Sequence, residues 1–401
     1  MKTKSSTLST VAIVGDYCNA AFYNSNKIIT KQLSNTISNN FQIITYTNKS
    51  NGSYLHPAQH NGKQIKIPLS NKGIQALLTQ LIAVIHASIY ADTLIFIGVS
   101  GCIWLPIIHF LLRKKTIVHM VQPIEQFAYK RVREQVYQQI CLFIAAKLAS
   151  QIVVADTDMQ HYMATKYHVN CQLVAYGGNH VQTPTISSNC AKKYPFLFAK
   201  YAYASINLLD KTATLALLEA FEQFTDYPLA VAAPWNSTKF GRILKAKYQH
   251  CASVYLLDTH NDKPFLHTIQ ANCCVYIHSH QAAGTSLPLM EAMYLGLPVF
   301  CFNNYYLKCL TNNAALYFSN RTDLLTLLSQ TTILQLDACK NNLLQIANKR
   351  YTWHQSGLQY IQIMNELQRH LATQTKNSHY KQPLLVQLKA AHLSSTPIFS
   401  K

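Results

Sequence analysis

In the stretch YIHSHQAAGTSLPLMEAMYLGLPVFCF, residues 276–302, a Gly284-Thr285-Ser286 turn separates a β-rich run from a helical one that carries a single carboxylate, Glu291. A helix that begins at such a turn presents unpaired backbone N–H groups and a positive dipole end, which together seat an anion such as phosphate. Glu291 follows roughly two helical turns later, where a carboxylate can accept hydrogen bonds from paired hydroxyls such as those of a ribose. One element would then hold both ends of a nucleoside diphosphate. A Gly-Thr turn before a helix is also ordinary punctuation between a strand and a helix, and taken alone it does not separate the two readings.

His278 and His280 precede the turn, and strand alternation puts both on one face. No Cys, Asp or Glu lies close by in sequence to complete a zinc set, so a metal site is not expected. His280, beside the turn, is read as a hydrogen-bonding group for phosphate or sugar.

These residues need a scaffold, and the pattern supplies one. From residue 10 to about 330, short β-rich runs alternate with helical stretches, the signature of parallel sheets covered by helices on both faces. The first half offers TVAIVG, FQIITYT, TLIFIG, TIVHMV, SQIVVA and QLVAY as strands; the second offers YASIN, YPLAVAA, SVYLL, CVYIH, PVFCF and AALYF. Between them, residues 178–195 are polar, hold two Pro and lack periodicity. The expected class is α/β with two doubly wound Rossmann-like domains: residues 1–180, a linker 181–195, and residues 196–350. A helix at 351–371 and a basic tail at 372–401 follow. Doubly wound sheets bind ligands beyond the carboxyl ends of their strands, so two of them facing each other create a cleft.

The string around Glu291 resembles the donor-site motif of the family-4 GT-B glycosyltransferases, and more closely a rhamnosyltransferase-like branch of them. Tyr276, Ile277, His278, His280, Gly284, Thr285, Leu289, Glu291, Ala292, Met293 and Gly296 fall on that branch's pattern without a gap. The resemblance spans most of residues 10–370 and implies the GT-B fold, with the nucleotide-sugar donor held by the second domain and the acceptor by the first. It also implies retention of anomeric configuration, no required metal and no cofactor. The helix at 351–371 resembles the family's terminal helix that crosses back to the first domain. Asp156-Thr157-Asp158 imitates the DxD metal motif of the other glycosyltransferase fold, but in this branch the position is a strand-to-helix junction, where Asp158 is expected to cap the helix.

Several positions depart from the family pattern. In the loop after the first strand Gly15, Ala21 and Tyr23 stay in register, while the paired glycines become Asn24 and Ser25; Asn tolerates positive φ, which would preserve the turn. After the fourth strand the family's Asp is Gln122, which cannot take a proton, leaving Glu125 as the acidic candidate of this domain or as a carboxylate at a helix start. Asn207 stands at the family's Arg, with Lys211 four residues on as a replacement cation for the leaving diphosphate. Trp235, Asn236, Ser237 and Gly241 remain in register, Asn236 and Ser237 either touching base or diphosphate or capping the next helix. These losses keep a rival reading open, a degenerate GT-B protein that serves as a binding or scaffold subunit.

Composition bounds the rest. A chain of 401 residues exceeds what one core usually serves. The 11 cysteines form no CxxC pair, several lie in apolar strands, and a reducing cytoplasm fits them. The start lacks a long apolar signal core, so no secretory peptide is expected. Residues 94–112 approach the length of a membrane span, but TLIFIG is β-rich and Ser100-Gly101 is a turn, so a buried βα unit is expected. The net charge of +19 is uneven: residues 1–150 hold 15 Lys plus Arg against 4 Asp plus Glu, and residues 367–401 hold five bases and no acid. No nucleic-acid motif accompanies this charge. An anionic inner-leaflet surface carrying a glycan or lipid-linked acceptor suits it, as does a merely solvated basic surface.

Overall fold

A computed structural model describes residues 8–15, 23–48, 62–69, 73–121, 132–182, 186, 194–208, 210–259, 263–279 and 286–380. Its first unit runs β1 (Thr10–Gly15), α1 (Tyr23–Ile37), β2 (Gln42–Asn48), β3 (Gly62–Ile67), α2 (Gly73–Tyr90), β4 (Thr93–Ile97), β5 (Lys115–Met120), α3 (Val132–Leu148), β6 (Gln151–Val154), α4 (Thr157–Tyr167) and β7 (Gln172–Leu173). These strands form one parallel sheet in the order β3-β2-β1-β4-β5-β6-β7.

The second unit runs β8 (Ala202–Ser205), α5 (Lys211–Gln223), β9 (Leu229–Ala233), α6 (Lys239–Tyr248), β10 (Val254–Asp258), α7 (Lys263–Ala271), β11 (Val275–His278) and α8 (Leu287–Tyr294). It continues with β12 (Val299–Phe302), α9 (Tyr305–Leu310), β13 (Leu316–Phe318), α10 (Arg321–Gln330), α11 (Ile333–Arg350) and α12 (Trp353–Tyr380). Its parallel sheet has the order β10-β9-β8-β11-β12-β13. The strand order reverses between β1 and β4 and between β8 and β11, so each sheet has a switch point where a crevice opens at its carboxyl edge.

The central strands are buried on both faces. Every residue of β4, TLIFI, and of β9, LAVAA, is buried, which is why these runs read as continuously apolar. β3, GKQIKI, was not expected: it is an edge strand with exposed Lys63 and Lys66, so it carries no apolar run to read. The long apolar stretch resolves into β4, a 3₁₀ turn at Ser100–Trp104, a short helical turn at Leu105–Ile107 and a wide turn at Ile108–Leu112. Among the described residues no helix is long and apolar enough to cross a membrane.

On one face of the first sheet α2, residues 100–112, α3 and α4 bury Val84, Leu105, Leu142 and Met163 against Phe96 and Val118. On the other, α1 and α12 bury Ile29, Leu33, Tyr360 and Met364 against Ile13 and Ile117. The last described helix therefore completes the core of the first domain. Gly357 makes this possible, because a Cβ there would lie 2.2 Å from Thr36 Cγ2 on α1. Tyr360 also hydrogen-bonds His119 of β5.

Two local expectations are corrected. Asn24 and Ser25 lie within α1 and are absent from the left-handed residues of the described chain, so no positive-φ turn replaces the family's paired glycines. The cap of α4 is Asp156, extended at φ −142°, whose carboxylate accepts the Met159 N–H at 2.7 Å; Asp158 sits inside the first turn.

Candidate functional site

Loops after β8, β9 and β11 share the carboxyl edge of the second sheet, because these three strands are neighbours in it. That adjacency brings the sequence candidates Asn207, Lys211, Asn236, Ser237, Ser286 and Glu291 to one edge. Gly15 ends β1 at the corresponding edge of the first sheet, paired with Ile97 of β4. Tyr23 and Asn24 open α1 beyond it. Gln122, Glu125, His280, Gly284 and Thr285 lie outside the described residues.

α8 is N-capped by the backbone of Ser286, whose hydroxyl makes no capping bond. Its first turn has few donors left to offer. Pro288 has no N–H, and the N–H groups of Leu289 and Met290 both bond the Ser286 carbonyl, at 3.0 and 3.1 Å. Within the described helix the anion seat therefore reduces to the Leu287 N–H. Just upstream, Ser279 is 3% exposed and its Oγ has no hydrogen-bond partner among the described residues, a buried polar atom at the mouth of the crevice.

Glu291 is buried, and its environment is specific. Its Oε1 accepts a hydrogen bond from His180 Nε2 at 3.0 Å, with both side chains almost fully enclosed. His180 Nδ1 accepts from Trp353 Nε1 at 3.1 Å. An indole N–H only donates, so Nδ1 carries the lone pair and Nε2 the proton. Glu291 Oε2 bonds nothing among the described residues and is the oxygen available to a ligand. Behind it stand two buried phenols: burial, then the Glu291 charge, pushes Tyr203 up, while burial, Tyr203 and Glu291 push Tyr276 up. Burial thus favours the protonated form of both phenols.

His180 and Trp353 were not among the sequence candidates. His180 falls in the polar stretch 178–195, as the last residue of the expected first domain, and Trp353 opens α12. The legible signal was the Gly177-Gly178 pair. A Cβ on Gly177 would lie 2.2 Å from the Trp353 backbone nitrogen, and one on Gly178 would lie 2.3 Å from the Met290 carbonyl oxygen. Two glycines thus let the strand-to-domain connection pass between α8 and α12. Asn179 Oδ1 then accepts the Trp353 N–H at 2.7 Å, the Gly178 N–H bonds Tyr351 O at 2.9 Å, and Ser356 Oγ donates to Ala175 O at 2.7 Å. Leu287 of α8 joins Val174, Tyr176 and Trp353 in one apolar cluster.

The remaining candidates sit more openly. Lys211 is the exposed first residue of α5, which Asp210 caps by accepting the Ala213 N–H; its ammonium lies 5.8 Å from the Phe240 ring centre. Asn207 is half-buried in the turn that leads to it, its carbonyl accepting the Asp210 N–H. Asn236 and Ser237 are exposed, and neither caps α6: Ser237 Oγ donates to Pro234 O at 2.7 Å, and the cap is Thr238, which accepts the Gly241 N–H at 2.9 Å. Asn236 instead accepts from Arg242 and Lys245. His278 is buried, with Nδ1 3.5 Å from the Tyr276 hydroxyl. No group of three His, Cys, Asp or Glu converges among the described residues.

No protein-family model matches the sequence, and no curated protein does. Similarity appears in structure. The chain aligns with Anabaena HepE in complex with UDP-glucose over 89% of its length and 99% of HepE, at a TM-score of 0.68 and 13% identity. Sucrose-phosphate synthase from Thermosynechococcus elongatus aligns over 90% of this chain and 100% of its own, at a TM-score of 0.69 and 12% identity. WaaG, a glycosyltransferase involved in lipopolysaccharide biosynthesis, aligns over 86% and 97%, at a TM-score of 0.58 and 13% identity. At such identities the likeness is one of fold, and the fold is GT-B: two Rossmann-like domains, with the last helix returned to the first.

Proposed function

We propose that the protein is a glycosyltransferase that moves a sugar from a nucleoside diphosphate to a glycan or lipid-linked acceptor. The observation that carries this reading is Glu291: a buried carboxylate, one oxygen fixed by His180 and the other without a partner among the described residues, at the carboxyl edge where doubly wound sheets hold nucleotides. In this role Oε2 accepts a ribose hydroxyl. The complexes of HepE with UDP-glucose and with UDP and glucose support a nucleotide-sugar donor for a chain of this fold.

The finer reading rests on the motif resemblance. It is family-4, rhamnosyltransferase-like chemistry, with a deoxyhexose such as rhamnose from its dTDP donor, in the assembly of a surface polysaccharide at the cytoplasmic face of the membrane. Retention without a metal or cofactor fits a site poor in free acids. The acceptor hydroxyl attacks on the face from which the diphosphate departs, and the diphosphate takes the proton. Lys211, Gly284, Thr285 and the α8 N-terminus are the groups assigned to the growing negative charge, and Glu125 and His280 to the acceptor and the sugar. Gln122 in place of an acid is compatible with that route.

The test is a donor screen by ligand-induced thermal shift with dTDP-, UDP- and GDP-sugars, since a ligand that binds only the native state raises its stability by mass action. Stabilisation by one class identifies the donor. A well-folded protein that no donor stabilises would overturn the reading in favour of a scaffold subunit, for which Asn207 and the donor-poor first turn of α8 are the structural grounds.

A further inference from the structure

The outward side of α2 is as apolar as its inward side. Ala83, Val84 and Ala87 pack on the sheet, yet Leu78, Ile82, Ile85 and Ile89, spaced four, three and four residues apart, form a stripe 44% to 65% exposed on the opposite side. The helix contains no charged residue. A surface helix of a globular domain normally turns polar residues outward, so an apolar stripe facing away from the core marks a surface that something covers.

The neighbouring elements repeat the pattern. α3 buries Cys141, Leu142 and Ala145 and exposes Val132, Val136 and Ile140, again four residues apart. Between α2 and α3, the turn at 108–112 carries Phe110 at 64% and Leu111 at 77% exposure, followed at once by Arg113, Lys114 and Lys115. All three elements cover the same face of the first sheet, opposite α1 and α12. Their exposed side chains therefore share one apolar face with a basic fringe.

We infer that this face docks on an anionic phospholipid bilayer, with Phe110 and Leu111 at its tip entering the boundary between headgroups and acyl chains. Charge decides between the occupants. Residues 73–121 and 132–148 contain five bases against two acids, Asp92 and Glu134, and Asp92 is already bonded to the Thr10 N–H. In a two-fold dimer the same patch would face itself, setting five bases against five with only Asp92 and Glu134 on each copy to offset them. Acidic headgroups complement the fringe, while the apolar stripe takes up the acyl side. This is independent of the donor site, and it changes the expectation drawn from net charge alone. Purely electrostatic adsorption would be released by salt; a surface that also inserts apolar side chains holds on.

The test is flotation of the full-length protein with vesicles of phosphatidylcholine alone and with phosphatidylglycerol, at low salt and at 0.5 M salt. Wild type should float with the acidic vesicles and retain a measurable bound fraction in high salt. Phe110→Ser with Leu111→Ser, both exposed and so expected to leave thermal unfolding unchanged, should lower the affinity about tenfold or more and abolish the salt-resistant fraction. Arg113→Glu should weaken binding to acidic vesicles only. Three results would overturn the inference: no flotation at low salt, binding that the double variant leaves intact, or a lipid-independent dimer in sedimentation equilibrium that Ile85→Asn dissociates, which would assign the face to a second copy.

Discussion

His180 donates from Nε2 to Glu291 Oε1 at 3.0 Å while its Nδ1 accepts a hydrogen bond from the Trp353 indole N–H, so one imidazole joins the interdomain connection, the donor-side helix and the crossover helix. Each of the three elements is fixed by a different part of the chain. The carboxylate proposed to hold the ribose is thus oriented by the same imidazole that joins these three elements.

Glu291 separates two effects that a single substitution would confuse. Glu291→Ala should weaken donor binding by about 1.5–3 kcal/mol, the scale of a charge-assisted hydrogen bond, but it also strands the buried His180 N–H at a cost of about 1–3 kcal/mol in stability. Glu291→Gln keeps an acceptor for His180 while removing the charge. Titration calorimetry on the Gln variant should show weaker donor binding at near wild-type melting temperature. Unchanged affinity would remove Glu291 from the donor site.

If His180 positions Glu291 under the control of Trp353, the two should be energetically coupled. Trp353→Phe deletes the indole N–H donor together with part of a buried ring, and His180→Ala deletes the relay. A double-mutant cycle on donor affinity should return an interaction energy of about 0.5–3 kcal/mol, typical of residues in one hydrogen-bond network. Additive effects would mean that the contact is structural only.

Lys211 is the cation nearest in sequence to the vacant Arg position at Asn207, and it stands exposed at the start of α5. Lys211→Ala should lower turnover about 10²- to 10³-fold with the donor identified by the screen, and Asn207→Arg should preserve or raise it. Equal steady-state rates for Lys211→Ala and wild type would end that assignment.

Much of this architecture was legible because parallel strands buried on both faces read as apolar runs, as β4 and β9 do, and because SLPLMEAM marks a helix start. What escaped was set by distance. The partners of His180 lie 111 and 173 residues away, and nothing periodic in a polar connection announces them. Cap identity escaped for a local reason: two Asp residues flank Thr157, and only the extended backbone of Asp156 decides between them. Asn24 and Ser25 were misread as a turn because glycines stand there in the resembling family, whereas this chain continues a helix through them.

The crossover helix also makes stability depend on pH. His119 on β5 is fully enclosed against Tyr360 of α12, and burial lowers its pKa from 6.5 to about 3. The folded state holds this imidazole neutral, whereas the unfolded chain protonates it below its ordinary pKa. Its contribution is therefore complete above about pH 6.5 and is lost progressively as the pH falls toward 3, at about 1.4 kcal/mol per pH unit. Urea midpoints at pH 7 and pH 5 should show the decline. His119→Asn, which cannot titrate, should flatten it by about one proton's worth. A slope identical in both proteins would mean that other groups carry the acid sensitivity.

The glycine at the junction offers the sharpest structural test. A Cβ on Gly178 would sit 2.3 Å from the Met290 carbonyl oxygen, a backbone atom of α8 that cannot swing aside as a side-chain tip can. Gly178→Ala must therefore push α8 and the 175–182 connection apart, straining the core by about 1–3 kcal/mol and carrying Glu291 away from His180. The variant should melt earlier, and its donor affinity should fall even though no group that touches the ligand has changed. Gly296→Ala is the control: its φ of 66° makes Ala strained as well, but a Cβ there meets nothing closer than Leu344 at 3.6 Å. Both variants should lose stability, and Gly178→Ala alone should lose donor affinity in excess of that loss. Equal binding by the two would show that the junction does not position Glu291.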